Sequence, residues 1–260
     1  MIGVIGGSGL YGIPGFEVTG ERRITTPYGE PSAPFTIGRI GEVEVAFLPR
    51  HGAHHSVAPH KINYRANLRG FKEIGVERII AVYATGGIAD WLAPGDLLVP
   101  DQILDMTAGA RIGTFYEEGE IVHVDFTEPY CPELRSALGR AAGGIETHIH
   151  GGGTYLCVQG PRLETRREIE FYRSIGGDVV GMTGMPEAAL ARELEICFSA
   201  LCVVTNHAAG ISARKLTTEE VRTTMAAANE RIKTLLAATF KAIPNQRACP
   251  CKDALSSARM

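Results

Sequence analysis

The 260-residue chain is long enough to bury one large core and sits near the size at which α/β chains still fold as a single domain. It is 45% hydrophobic and 21% charged, and its longest apolar run, about nine residues ending at Thr205, is too short to span a bilayer, which argues against a membrane partner. A net charge of −3, a pI near 6.3 and the lack of a basic stripe argue against DNA or RNA and leave room for a small anion.

The opening stretch MIGVIGGSGLYG has no basic leader region and reads as a buried strand over 2–6, so a cytoplasmic protein is expected. Gly7-Ser8-Gly9-Leu10-Tyr11-Gly12 then matches the spacing of a dinucleotide loop, with Glu30 near the place of a ribose-binding acid. Such a loop must open a helix, and Ile13-Pro14-Gly15 forbids one. What remains is a glycine loop whose N–H groups and Ser8 hydroxyl suit one anion.

A second strand, 43–48, ends at Pro49-Arg50-His51-Gly52, and the histidine-rich run up to His60 invites a metal reading. Gly52 and Pro59 prevent the continuous helix that paired histidines need, so Arg50 and His51 are read as oxyanion ligands instead. A helix is predicted over 61–74, with Ile62, Ala66, Phe71 and Ile74 near one face and Gly75 as its stop. Strands at 78–84 and 96–100 follow, the first ending in Ala84-Thr85-Gly86-Gly87, and residues 108–120 form an irregular excursion.

Strands at 154–158 and 178–182 end in Gln159-Gly160-Pro161-Arg162 and Gly181-Met182-Thr183-Gly184. A helix starts at Pro186 and runs to Ile196, placing its positive end beside Thr183. The run 196–205 is the last strand and closes on Thr205-Asn206. A helix over 218–243 begins with a capping-box pattern, and 244–260 reads as a loosely attached tail behind a single domain, 1–243.

This alternation predicts an α/β fold, a single domain with a twisted mixed sheet flanked by helices. Glycine with a polar group recurs where strands end, which is the edge at which open α/β sheets bind ligands. Four of the six cysteines lie in or beside apolar runs as reduced thiols, while Cys249-Pro250-Cys251 either closes a small disulfide or serves no function.

Taken together, IGVIGGSGL, RHGAHH with PHKINYRAN, the ATGGI turn, TEPYCPELR, QGPRLET, and GMTGMPEAALARELEI followed by VVTN resemble the methylthioadenosine phosphorylases and trimeric purine nucleoside phosphorylases. The resemblance is collinear over about residues 2–240. It implies a homo-oligomer, either a trimer or a dimer of trimers, in which inorganic phosphate displaces a purine from its nucleoside. No metal and no cofactor is implied; phosphate is a co-substrate.

Carried over by position, the resemblance puts phosphate on Ser8, Arg50, His51, Ala84 and Thr183 and the ribose on Met182. It puts the base on Ala84, Gly86, Glu164 and Asn206, His207 and Ala208, and the sugar's 5′ group near Thr218. His123 matches a residue that reaches a neighbouring subunit's site.

The chain departs from the methylthioadenosine enzymes, which place an aspartate at Asn206 and a small serine at Glu164; the Glu/Asn pair is similar to enzymes acting on inosine and guanosine. A 6-oxopurine has an N1–H donor for Glu164 and an O6 acceptor for Asn206, which is also the candidate catalytic group at N7. Adenine reverses both. Thr218 does not separate a 5′-hydroxyl from a 5′-methylthio group, so 5′-methylthioinosine is an alternative substrate. A non-catalytic nucleotide- or NAD-binding protein is the alternative from another class, and it leaves Arg50, Glu164 and Asn206 unexplained.

Overall fold

The computed structural model describes residues 1–7, 13–109 and 111–260, so Ser8 and the rest of the glycine loop to Gly12 lie outside the described residues. In chain order the strands are β1 (Ile2–Gly6), β2 (Phe16–Arg22), β3 (Phe35–Ile40), β4 (Val43–Pro49), β5 (Arg78–Gly87), β6 (Leu97–Val99), β7 (Gln102–Met106), β8 (His150–Gly151), β9 (Thr154–Val158), β10 (Val179–Gly181) and β11 (Cys197–His207). The helices are α1 (Tyr64–Glu73), α2 (Pro132–Gly144), α3 (Arg166–Ser174), α4 (Gly184–Glu193) and α5 (Thr218–Ala242).

All the strands join one mixed sheet. β5 is its hub. One edge of β5 pairs in parallel with β11 over nearly its whole length; the other pairs with β1 through Ile79–Ala81 and, further along, antiparallel with β10 at Gly86 and Gly87. β4 and the β2–β3 hairpin extend the sheet beyond β1, while β9 and β7 extend it beyond β10.

Side chains along β5 alternate between two cores, as a two-residue period requires. Ile79, Ala81 and Tyr83 pack with α1 and α4 on one face, and Ile80 and Val82 pack with α2 and α5 on the other. Helices on both faces explain why β1, β5 and β11 read as continuous apolar runs rather than alternating ones. Each large side chain buried there contributes roughly 1.5–3 kcal/mol.

Several boundaries shift for local reasons. The first helix starts at Tyr64, not 61, because Asn63 caps it by accepting from the Ala66 N–H, and Pro59–Lys61 forms a separate 3-10 turn. β2, β3, β7, β8, α2 and α3 are additions to the expected elements. β2 is an edge strand almost wholly exposed, with Val18 59% accessible, so it carries no core-facing pattern.

The C-terminal segment is corrected most. It is not loosely attached: Cys249, Cys251 and Ala258 are buried. Backbone bonds tie it down, from Ala248 N–H to Glu133, from His123 N–H to the Ala258 carbonyl (2.8 Å) and from Met260 N–H to the Ile121 carbonyl. Arg78 also donates to the Pro244 carbonyl at 2.9 Å. Its anchors are scattered single residues without periodicity, which leaves no pattern to read.

Candidate active site

β1 and β10 share the same edge of β5 but leave it unpaired between them, from Val82 to Thr85. The gap opens a cavity of about 280 Å³ whose walls include Tyr83, Ala84, Thr85 and Gly86. Ala84 is the one exposed residue of β5 because it faces this space. Arg50, His51, Glu164, Met182, Thr183, Asn206 and Ala208 line the same cavity, so the separate strand ends converge as expected.

At one end stands Arg50, just past β4 and only 3% exposed. Its Nε and Nη2 donate to the two carboxylate oxygens of Glu187 at 2.5 and 3.0 Å, its Nη1 donates to the Val82 carbonyl at 3.1 Å, and the guanidinium lies 4.5 Å from the Tyr83 ring centre. Tyr83 donates its hydroxyl to Glu187 at 2.7 Å. Burial alone lowers the Arg50 pKa, but Glu187 and then Tyr83 overcome it and hold the guanidinium fully protonated. Three of the five Arg50 N–H groups are thus spent within the protein, leaving two, one on each Nη, for a ligand.

Glu187 is a functional residue that sequence reading missed. It sits in the first turn of α4, where its carboxylate meets the helix's positive end. Its carboxylate is committed to Arg50 and Tyr83. Met185 and Pro186 are also non-helical, which separates Thr183 from the regular turns of α4. Thr183 makes no capping bond with its side chain; its N–H and that of Gly184 donate to the Tyr155 hydroxyl, each at 3.3 Å.

His51 places Nδ1 2.8 Å from the Val57 carbonyl. A carbonyl only accepts, so Nδ1 carries the proton and Nε2 presents a lone pair. Burial first, then the Arg50 charge, lower the His51 pKa to about 4 against the opposing effect of the Val57 bond. His51 is therefore neutral at physiological pH and acts as an acceptor, not as a second positive charge.

At the other end, β11 carries a bulge at Thr205: Val204 pairs with Thr85 and Asn206 with Gly86. The extra residue re-aims the strand's last polar side chains. The Asn206 Nδ2 donates to the His207 carbonyl at 2.9 Å, and its Oδ1 lies 2.8 Å from the Thr205 hydroxyl. One N–H and one oxygen lone pair of the amide remain unused. The amide is clamped from both sides while keeping a donor and an acceptor.

Glu164 lies in the loop between β9 and α3, half-buried, with no ion-pair partner among the described residues. Burial first raises its pKa; its own N–H opposes that and Glu168 adds to it. Its position is fixed by the next residue, since Thr165 caps α3 in a reciprocal box with Glu168.

Below, Met182 is seated against Gly160, a residue at φ +61° whose missing Cβ would fall 2.4 Å from the Met182 sulfur. Arg111, from the irregular excursion, donates to the carbonyls of Met182 (2.6 Å), Met185 (2.7 Å) and Gln159 (2.7 Å) and so pins this floor. Nothing in the sequence marked Arg111, because its acceptors are backbone atoms.

Two expected residues, His207 and Thr218, do not line the cavity. His207 contributes its carbonyl, as the Asn206 partner, rather than its ring. Thr218, the first residue of α5, is exposed; Leu216 and Val221 on either side of it line the cavity instead. His123 is exposed in the segment bound to the C-terminus.

An α/β sheet opened at its hub strand, with a buried arginine, a carboxylate and an amide on one cavity, brings together donors suited to an anion and a donor–acceptor pair suited to a polar ring. The model of the phosphorylase superfamily matches residues 1–241, and the chain belongs to that family.

The chain is 51% identical to a 6-oxopurine nucleoside phosphorylase of Pyrococcus furiosus, over 99% of this chain and 98% of the relative. It is 50% identical to a probable S-methyl-5′-thioinosine phosphorylase of Thermodesulfovibrio yellowstonii, over 99% of this chain and 96% of the relative. Among solved structures, a methylthioadenosine phosphorylase from an antarctic soil metagenomic library superimposes with a TM-score of 0.94 at 35% identity, covering 100% of this chain and 92% of that one. No helix among the described residues is long and apolar enough to cross a membrane.

Proposed function

We propose that this enzyme cleaves 6-oxopurine nucleosides with inorganic phosphate, releasing the base and ribose 1-phosphate. The observation that carries the reading is the pairing of an unneutralised Glu164 carboxylate with the clamped Asn206 amide on one cavity. The carboxylate accepts from N1–H of hypoxanthine or guanine; the amide donates to O6 and offers its remaining lone pair to N7–H as the base departs.

Breaking the glycosidic bond builds positive charge on the sugar and negative charge on the base. Phosphate stabilises the first and attacks; the Asn206 bonds stabilise the second. Because Glu187 cancels the Arg50 charge, phosphate keeps most of its own charge for the developing oxocarbenium ion. The neutral His51 accepts a hydrogen bond from the P–OH, which favours the monoprotonated dianion. Thr183 supplies a hydroxyl and Met182 floors the sugar, with Ser8 and Ala84 completing the anion site as the resemblance implies.

Adenosine offers a bare N1 to Glu164 and an amino group where an acceptor is needed. Two unpaired buried groups at about 1–3 kcal/mol each disfavour it by roughly two to four orders of magnitude. A second reading, 5′-methylthioinosine as substrate, is favoured by one observation: Leu216 and Val221, beside the expected 5′ position, are apolar. A cytoplasmic homo-oligomer in which His123 reaches a neighbour's cavity fits both.

The test is turnover of inosine, guanosine, adenosine, methylthioadenosine and methylthioinosine with and without phosphate, reading the released bases. The two oxopurine nucleosides are cleaved only with phosphate, and adenosine lags by at least a hundredfold. Phosphate-independent release, or an adenosine preference, sinks the proposal. A methylthioinosine rate well above that of inosine selects the second reading.

A further inference from the structure

Far from the cavity, four cysteines meet. Cys131 is the N-cap residue of α2, Cys197 opens β11, and Cys249 and Cys251 flank Pro250 at the 3-10 turn of the C-terminal segment. All four are buried, none more than 4% exposed, and their sulfurs lie within 4.8 Å of one another. The pair Cys197 and Cys249 is at 3.2 Å.

Four sulfurs this close together match the ligand number of a tetrahedral tetrathiolate site. Zinc–thiolate bonds of about 2.3 Å put sulfurs roughly 3.8 Å apart along each edge, inside the observed spread. Disulfides would instead draw them into pairs at about 2.05 Å. Thiolate charge also has compensation here. Cys131 occupies the positive end of α2, and Arg247 places a positive charge two residues before Cys249. The Arg247 Nε–H, two residues from Cys249, is buried with no hydrogen-bond partner among the described residues, a free donor near the cluster.

We propose that Cys131, Cys197, Cys249 and Cys251 form a structural site for one soft divalent cation, zinc, that fastens the C-terminal segment to α2 and the start of β11. Binding converts four thiols to thiolates and releases their four protons to solvent, leaving a closed tetrathiolate site with no open position for catalysis. Cys197 and Asn206 stand at opposite ends of β11, about 30 Å apart at the rise of an extended strand, so the site acts on the fold and not on the reaction. It departs from the sequence expectation of reduced core thiols and a C-x-C that either closes a small disulfide or serves no function.

The whole chain, purified without chelator, is assayed for metal by elemental analysis and by native mass, and the stripped protein is titrated with Co²⁺. One zinc per chain is expected, and the cobalt form should show thiolate charge-transfer and tetrahedral d–d absorption. Cys249→Ser with Cys251→Ser should cut bound metal at least tenfold and leave kcat/KM for inosine within about twofold. A denatured mass short by four hydrogens, meaning two disulfides, overturns the site. So do four free thiols that bind neither Zn²⁺ nor Co²⁺. Both readouts come from the unmodified chain, so they stand even if the double variant fails to fold.

Discussion

The two ends of β11 differ in kind although one strand carries both. At its start, Cys197 is surrounded by other cysteines and apolar side chains, sealed beneath the C-terminal segment. At its finish the strand bulges, and Thr205 and Asn206 satisfy each other while leaving bonding capacity unused. The sealed end closes its own valences; the open end holds some in reserve for a ligand. The other polar groups of the cavity that this end faces are held by a second layer: Glu187 behind Arg50, Thr165 beside Glu164, and Arg111 under Met182.

The largest test of that second layer is Glu187. Replacing it with leucine leaves the Arg50 charge buried without a partner, and a loss of about 3–5 kcal/mol is expected in denaturant melts. Glu187→Gln keeps the shape and one acceptor and should lose much less. If leucine is tolerated as well as glutamine, the cavity does not depend on this pair, and its contrast with the sealed end of β11 weakens.

A smaller effect separates the ends by pH. His51 has a folded pKa of about 4 against an ordinary value near 6.5, so between those values the unfolded chain binds more protons. Stability from keeping His51 neutral is fully present above pH 6.5 and is lost as pH falls to 4, by at most about 3 kcal/mol. The urea midpoint of His51→Gln should fall less steeply over that window than that of the unmodified chain. Parallel slopes would remove His51 as the source.

How far this was legible follows from range. The strand ends were readable because glycine and polar groups follow apolar runs, a pattern within a few residues, and the cavity gathers most of the residues so marked. Glu187 was not, since in PEAALARELE it looks like one more surface acid, and its partner is 137 positions away. The cysteines show the same limit. Cys131 and Cys197 look like ordinary core residues, and Cys249 and Cys251 look like a tail, until the fold brings the four together. Edge strand β2 was invisible for the opposite reason: it buries almost nothing.

The smallest expected effect lies in the loop that carries Glu164. The Thr165 hydroxyl accepts from the Glu168 N–H at 3.1 Å, and the Glu168 carboxylate accepts from the Thr165 N–H at 2.7 Å. Thr165→Ala removes one half of this box and should cost about 1 kcal/mol. Because Glu164 is the residue immediately before the cap, loosening the cap frees the carboxylate from its place on the cavity wall without altering the Arg50 end. The KM for inosine should rise several-fold while the KM for phosphate stays constant. Equal changes in both constants would mean that the variant disturbs the whole cavity, and that Glu164 is not held in place by the start of α3.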